Sequence, residues 1–365
     1  MTNARSPRDT ETPQDAMALS AHRLGFSVTK ACPLSCAHCS VSASPAPELA
    51  KTTFTSEFGD HVAAQMSELA AADITYIDFT GGEPTLASAF VRKVSEAASD
   101  CGISSGIVTA AHWAKTQRQA ERYVEKFRHI SSWDISTDVY HLPFVDLDTV
   151  ERAYELLSHH GKSVRIRIAY HEPMTLEDAQ IIDRVHKFAG DNLGFQPISP
   201  VGRGGSIGIS IRKSKRDFST GACPTTGPLI RPSGSVEACC APLSHTEAEH
   251  PLRFGNAFED RLVDVVHRWR TNPLLQTIRL WGFGPVFEWL ESEQHELERV
   301  YNSRACLQCV DLLKDPVLAQ AAMKYASSLR QRIILATTLL EELNEPWMDN
   351  LLRAQARATL ERKAG

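Results

Sequence analysis

Long hydrophobic runs are missing from this sequence of 365 residues. None approaches the roughly eighteen apolar residues that a membrane-spanning helix needs, and the N-terminus lacks the charged-then-apolar order of a secretion signal. No membrane partner is expected, and the cytoplasm is the expected compartment. Excess positive charge is missing too. Lys and Arg number 39 against 44 Asp and Glu, a net charge of -5 without long blocks, so the basic footprint of a nucleic-acid partner is absent. There is no internal repeat. What remains is a chain with globular proportions, 42% hydrophobic and 23% charged, long enough for one large domain and a smaller one. Its unusual feature is cysteine. Nine are present, an odd number in clusters, and without export a disulfide framework is a poor reading, so metal ligation is expected.

Residues 1–23 are rich in Thr, Pro, Asp, Arg and Ala without apolar periodicity and read as a flexible tail. Beyond them, short β-rich runs alternate with helical patterns. The runs are Leu24 to Thr29, Ile74 to Thr80, Ile103 to Thr109, Trp133 to Thr137, Val164 to Tyr170 and Leu193 to Ile198. Helical candidates lie at 55–72, 87–100, 115–129, 147–160 and 175–189. This alternation predicts an α/β fold with parallel βαβ units, and its six strands make a partial (β/α)6 barrel of TIM type rather than the closed eightfold one. Residues 24–212 are assigned to that barrel. The composition shifts at Val201-Gly-Arg-Gly-Gly205, and residues 213–315 form a small cysteine-bearing domain. Residues 316–365, rich in Ala, Leu, Glu and Arg and interrupted by Pro346, read as C-terminal helices.

Cys32-Pro-Leu-Ser-Cys36-Ala-His-Cys39 sets three thiols in one loop after the first strand. Three thiolates hold three irons of a four-iron cluster and leave the fourth iron open, whereas structural zinc closes with four protein ligands. Thr80-Gly81-Gly82-Glu83-Pro84 ends the second strand, where glycines allow close backbone approach and Glu83 can accept hydrogen bonds from an ammonium group.

The C-x3-C-x2-C spacing together with Gly-Gly-Glu-Pro resembles the radical S-adenosylmethionine superfamily. The resemblance implies a [4Fe-4S] cluster on Cys32, Cys36 and Cys39, with S-adenosyl-L-methionine chelating the open iron. One-electron reduction then yields a 5′-deoxyadenosyl radical that abstracts hydrogen from a substrate. It further implies that His38 lies near the adenine and that Gly81, Gly82, Glu83 and Pro84 contact the cofactor's amino group. Ser136 and Asp138, ending the fourth strand, match ribose or carboxylate contacts, and a helix-start cap explains them equally. Arg167 on the fifth strand matches a carboxylate partner; an ion-paired strand face, shared with Arg165, explains it nearly as well. Gln196-Pro-Ile-Ser-Pro-Val-Gly-Arg203 resembles the barrel exit of members with a C-terminal cluster domain.

Cys223, Cys239, Cys240, Cys306 and Cys309 lie beyond the barrel. The spacing from Cys223 through Gly234 to Cys239 resembles the opening of the SPASM domain. With too few cysteines for two clusters, the shortened twitch version is implied, carrying one auxiliary [4Fe-4S] cluster on Cys223, Cys239, Cys306 and Cys309. Structural zinc on the same four is the rival. Cys240 is a buried small residue, the ligand in place of Cys239, or a hydrogen-atom donor to a substrate radical. Cys101, in a helix-to-strand turn, reads as packing.

The expected enzyme oxidises, cross-links or epimerises a natural-product precursor. Only 31 residues precede Cys32, too few for a leader-binding module, which tilts the substrate towards a small molecule over a ribosomal peptide. A flavodoxin- or ferredoxin-like protein is the expected reductant. His112, Trp113, Tyr140 and His141 are candidates for the pocket wall or for the core. A non-catalytic iron-sulfur or zinc scaffold is the reading from another class, and an intact Gly-Gly-Glu-Pro argues against it.

Overall fold

The computed structural model describes residues 20–209, 223, 225–239, 249–297 and 304–342. Nine strands form one sheet: β1 (Arg23–Ser27), β2 (Tyr76–Thr80), β3 (Ser104–Thr109), β4 (Ser132–Thr137), β5 (Ser163–Tyr170), β6 (Leu193–Pro197), β7 (Leu229–Ile230), β8 (Ser235–Glu237) and β9 (Arg253–Asn256). Their order is β6-β5-β4-β3-β2-β1-β7-β8-β9. All pairs from β1 to β6 are parallel, β7 adds parallel to β1, and β8 and β9 follow antiparallel. Because β6 sits at one edge and β1 pairs with β7, the six-stranded barrel stays open, as expected.

The connecting helices are α1 (Ser56–Ala63), α2 (Met66–Ala71), α3 (Ser88–Asp100), α4 (Gln117–Lys126), α5 (Leu147–His159) and α6 (Leu176–Ala189). Four of them start on a side-chain cap: Thr55, Thr116, Asp146 and Thr175 accept from the backbone N–H groups of Phe58, Gln119, Thr149 and Asp178. Each cap satisfies an otherwise orphaned N–H and fixes where the chain turns from strand exit into helix. The helix expected over 55–72 is two, α1 and α2. Gln65 stands between them and its Oε1 accepts from Leu262 N–H at 2.8 Å, so the break lets a long-range contact form.

Alternation along the strands gives the sheet two different faces. One carries Leu24, Phe26, Ile77, Phe79, Ile107, Trp133, Ile135, Ile166 and Ile168, each at most 1% exposed, packed under the helices. Phe90 of α3 meets Phe26 at 5.4 Å, and Trp113 meets Trp133 edge-on at 5.5 Å. The other face, in register across the strands, carries Gly25, Asp78 and Gly106, then Asp134 beside Arg165, and Ser136 beside Arg167. A side chain at Gly106 would stand 2.1 Å from Tyr76 Oη, so glycine there makes room for the Tyr76 and Asp78 side chains. The barrel thus has an apolar coat and a polar, charged interior.

Residues 20–22, read from the sequence as the end of a loose tail, are packed. Ser20 and Ala21 are each 1% exposed, and the buried Arg270 donates to the Ala21 carbonyl at 2.9 and 2.7 Å. The expected boundary at 212/213 falls outside the described residues; β7 to β9 continue the barrel's own sheet. Six helices follow: α7 (Leu262–Thr271), α8 (Pro273–Trp281), α9 (Gly284–Ser292), α10 (Ala305–Lys314), α11 (Pro316–Ala326) and α12 (Leu329–Glu342). Pro346 lies outside the described residues. Among the described residues no helix is long and apolar enough to cross a membrane.

Candidate functional site

Cys32, Cys36 and Cys39 leave the C-terminal end of β1, the end at which chemistry gathers in parallel barrels. The loop is tightened by Cys39 N–H donating to the Cys36 carbonyl at 3.1 Å and tied by Cys32 N–H to the Ser44 carbonyl at 3.0 Å. Backbone N–H groups also face the sulfurs, Leu34 at 3.5 Å from Cys32 Sγ and Ala43 at 3.4 Å from Cys39 Sγ. Burial pushes the Cys32 thiol up to about 12, with Glu83, Cys36 and Cys39 adding to the rise. A free thiol so placed is inert at neutral pH. It becomes a thiolate when a metal takes the place of its proton.

The Gly81-Gly82-Glu83-Pro84 turn meets that loop directly. Gly82 N–H donates to the Thr29 carbonyl at 2.6 Å and Glu83 N–H to the Ala31 carbonyl at 2.9 Å. Gly81 has φ +134°, and a Cβ on Gly82 would stand 2.2 Å from the Ala31 oxygen. The glycines therefore bring two strand ends together, a packing role that their sequence did not reveal. Pro84 is buried and opens a short helical turn over Pro84–Ala87. Glu83, 1% exposed, accepts from Thr85 Oγ1 at 2.7 Å, Thr109 Oγ1 at 2.9 Å and Ala110 N–H at 3.2 Å, and His112 Nδ1 lies 3.5 Å away. Burial alone would raise its carboxyl; the groups at His112, Thr85 and Ala110 hold it below the usual range. Trp113 is fully buried, stacked on Tyr123 at 5.4 Å, and belongs to the core rather than to a pocket wall.

Asp138, after β4, gathers two imidazoles. His141 Nδ1 lies 2.8 Å and His38 Nε2 3.3 Å from its Oδ2, while Oδ1 accepts from the backbone N–H groups of Tyr140 and His141 at 2.9 and 3.1 Å. His38, Asp138 and His141 are also a set of potential ligand atoms within 4.8 Å of one another. The rings differ in charge. Burial pushes His38 down to about 4, whereas at His141 burial is overcome by Asp138 and by the Cys36 sulfur, which raise it to about 10. At neutral pH His38 is neutral and His141 is the cation. His38 stacks on Tyr140 at 5.1 Å, and Tyr140 Oη pairs with His171 Nε2 at 2.9 Å. His171 Nδ1 rests 3.0 Å from Asp178, the capping-box residue of α6.

Arg165 pairs bidentately with Asp134 at 3.1 and 2.7 Å. Arg167 donates to Gln196 Oε1 at 2.9 Å, lies 4.0 Å from Asp134, and is about a third exposed inside the barrel beside the half-buried Ser136. It can reach an anionic ligand by exchanging a neutral amide partner.

Beyond the barrel, Cys306 and Cys309 share the first turn of α10 at i and i+3, one face of a helix. Burial pushes the Cys309 thiol well up, with Cys223 and Cys306 close enough to add to it. The Ala238 carbonyl, next to Cys239, is held by Thr225 Oγ1 at 3.0 Å and Trp269 Nε1 at 2.9 Å, and Thr225 N–H bonds the Cys223 carbonyl at 2.7 Å. The segments carrying Cys223 and Cys239 are thereby tied together. Cys240 lies outside the described residues. Cys101 caps α3 and packs against the core.

The donor sets suit iron-sulfur clusters: mostly half-buried thiols in two groups, with N–H groups facing two sulfurs of the first. Sequence reasoning gave no role to Thr109, His171, Asp178 or Arg203. Of these, Arg203 had a local signal in the glycines on either side of it, and Asp178 in its place three residues after Thr175.

No protein-family model matches the chain. It is 23% identical over 265 residues, 69% of its length and 78% of the other's, to the "Putative peptide biosynthesis protein YydG" of Bacillus subtilis (strain 168). Two solved structures of similar fold are native anSMEcpe with bound AdoMet, at TM-score 0.50 and 15% identity, and native anSMEcpe with bound AdoMet and Kp18Cys peptide, at TM-score 0.50 and 16% identity. Each comparison covers 86% of this chain and 99% of the other. With three cysteines leaving β1 and Gly-Gly-Glu-Pro leaving β2, the chain shares the fold of these AdoMet-bound proteins.

Proposed function

We propose that this enzyme modifies a ribosomally made peptide by taking a hydrogen atom from it, giving oxidation, cross-linking or epimerisation. The observation that carries the reading is the junction of the two strand ends, where the Gly82 and Glu83 N–H groups bond the loop that bears Cys32, Cys36 and Cys39. When bound there, a reduced four-iron cluster and S-adenosylmethionine supply a 5′-deoxyadenosyl radical.

The chain's own residues do the rest. Cys32, Cys36 and Cys39 hold the cluster, and the Gly81 to Pro84 turn positions the cofactor's amino group while Glu83 stiffens the turn from beneath. His38 and Tyr140 offer stacked rings to the adenine, with Asp138 fixing the His38 ring, and Ser136 and Arg167 offer a hydroxyl and a cation to ribose and carboxylate. Cys223, Cys239, Cys306 and Cys309 hold the auxiliary cluster in the region 213–315. Cys240 donates the returning hydrogen atom if the outcome is epimerisation. A flavodoxin- or ferredoxin-like protein delivers the electron.

The sequence alone leaned towards a small precursor. A peptide is favoured by the name of the Bacillus relative and by the peptide bound in one anSMEcpe structure, and the polar barrel interior suits the amides of an extended chain. The test is mass spectrometry of 5′-deoxyadenosine made with deuterated candidate peptides, beginning with any encoded beside this gene. Deuterium in the nucleoside is expected. Its absence with every peptide, alongside transfer from a small metabolite, would overturn the peptide assignment.

A further inference from the structure

Val201-Gly-Arg-Gly-Gly205, the exit from the barrel after β6, lies on the cysteine loop. Gly202 has φ +58°, and a Cβ on it would stand 2.5 Å from the Ser40 oxygen and 2.6 Å from the Cys39 oxygen. A Cβ on Gly204 would stand 2.4 Å from the Ser199 oxygen and 3.1 Å from the His38 oxygen. Both positions exclude a side chain so that turn and loop backbones can touch.

Arg203 stands between these glycines. Its backbone N–H donates to the Cys39 carbonyl at 3.1 Å and its Nε–H to the Cys36 carbonyl at 3.1 Å, so two of the three loop cysteines hold it. Its Nη2 is buried without a hydrogen-bond partner, and among the described residues it has no acidic partner. A guanidinium N–H that is buried without an acceptor is costly. The arrangement is completed by an anion. Three thiolates around an iron-sulfur core carry net negative charge, which grows by one on reduction, and a fixed cation beside them favours the reduced state.

We propose that Arg203 is a positioning residue for the cluster on Cys32, Cys36 and Cys39: it clamps the loop through two carbonyls and raises the cluster's reduction potential through its unpaired Nη2–H. This rests on the iron-sulfur reading of those cysteines. The methionyl carboxylate of S-adenosylmethionine is the other anion that the same N–H can meet, and the experiment separates the two.

The test is an EPR-monitored redox titration of the anaerobically loaded enzyme without S-adenosylmethionine. The spectrum of the Cys32→Ala, Cys36→Ala, Cys39→Ala variant is subtracted to remove the second cluster. Arg203→Gln is expected to retain iron and its circular dichroism spectrum, yet to be at least tenfold harder to reduce, about 59 mV lower for a one-electron couple. Arg203→Lys, which keeps the charge, should lie closer to wild type. An unchanged potential in Arg203→Gln would overturn the proposal, and weaker cofactor binding with that result would assign the guanidinium to the methionyl carboxylate. If Arg203→Gln retains no iron at this loop, Arg203→Lys decides: iron at near wild-type potential supports the proposal, and lost iron or a lowered potential overturns it. Iron missing from the loop of the wild-type protein would instead refute the cluster reading itself.

Discussion

Glu83 shows what a single residue does here. Its carboxylate satisfies donors from its own turn, from Thr109 at the end of β3, and from Ala110 just beyond, so it braces neighbouring strand ends. Glu83→Ala should destabilise the protein by about 1–3 kcal/mol, because buried donors are left unsatisfied. Glu83→Gln, which keeps one acceptor oxygen, should lose less; equal losses in denaturant titrations would contradict the bracing role. The sign with pH follows from the depressed carboxyl. Its stabilisation is complete above the unfolded value of about 4.3 and disappears as pH falls through the lower folded value. The stability gap between wild type and Glu83→Gln should therefore be constant from pH 7 to about 5 and shrink below that range. Cys240, outside the described residues, has a prediction of its own. Cys240→Ala should leave 5′-deoxyadenosine formation intact while stopping an epimerised product, and unchanged product would remove its assigned role as donor.

At the scale of elements, most of the architecture was legible because period-2 and period-3.6 patterns alternate so regularly. Six strands and their helices fell within a few residues of expectation, and the caps at Thr55, Thr116, Asp146 and Thr175 explain the sharp helix starts. What sequence could not show was contact between elements. Gly81 and Gly82 were legible as a turn that tolerates close approach, but the approach is to Thr29 and Ala31, and only the fold reveals that. Gly82→Ala, with its Cβ 2.2 Å from a backbone oxygen, should force the cysteine loop away. Iron at that loop should fall sharply while far-ultraviolet circular dichroism is retained, whereas full iron loading would contradict the junction. Asp178 was likewise visible as the third residue after a Thr cap, but not as the anchor of His171 and, through it, Tyr140. Asp178→Ala should cost about 1 kcal/mol through the lost capping box and loosen the Tyr140 ring that stacks on His38.

Across the whole molecule, one sheet runs from the open edge at β6, through β1, which leads into the first cysteine group, to β8, which leads into Cys239, and β9. The sequence separated these regions by composition, yet β7 pairs with β1, and the buried Arg270 and Arg279 of the later helices reach Ala21 and Ser20 before β1. Such long-range contacts leave no trace in local periodicity. Two cysteine groups on one body imply about eight irons per chain, as two four-iron clusters require. Replacing Cys306 and Cys309 with Ala should leave about four; zinc retained in their place in the wild-type protein would contradict the second cluster.

The most direct measurement is 5′-deoxyadenosine release by the anaerobically iron-loaded protein given S-adenosylmethionine and a strong one-electron reductant. The wild-type protein should release it, and the protein with Cys32, Cys36 and Cys39 replaced by Ala should release none while keeping the irons of its second group. Release that persists without those three thiols, or its absence from fully loaded wild type, would contradict the account.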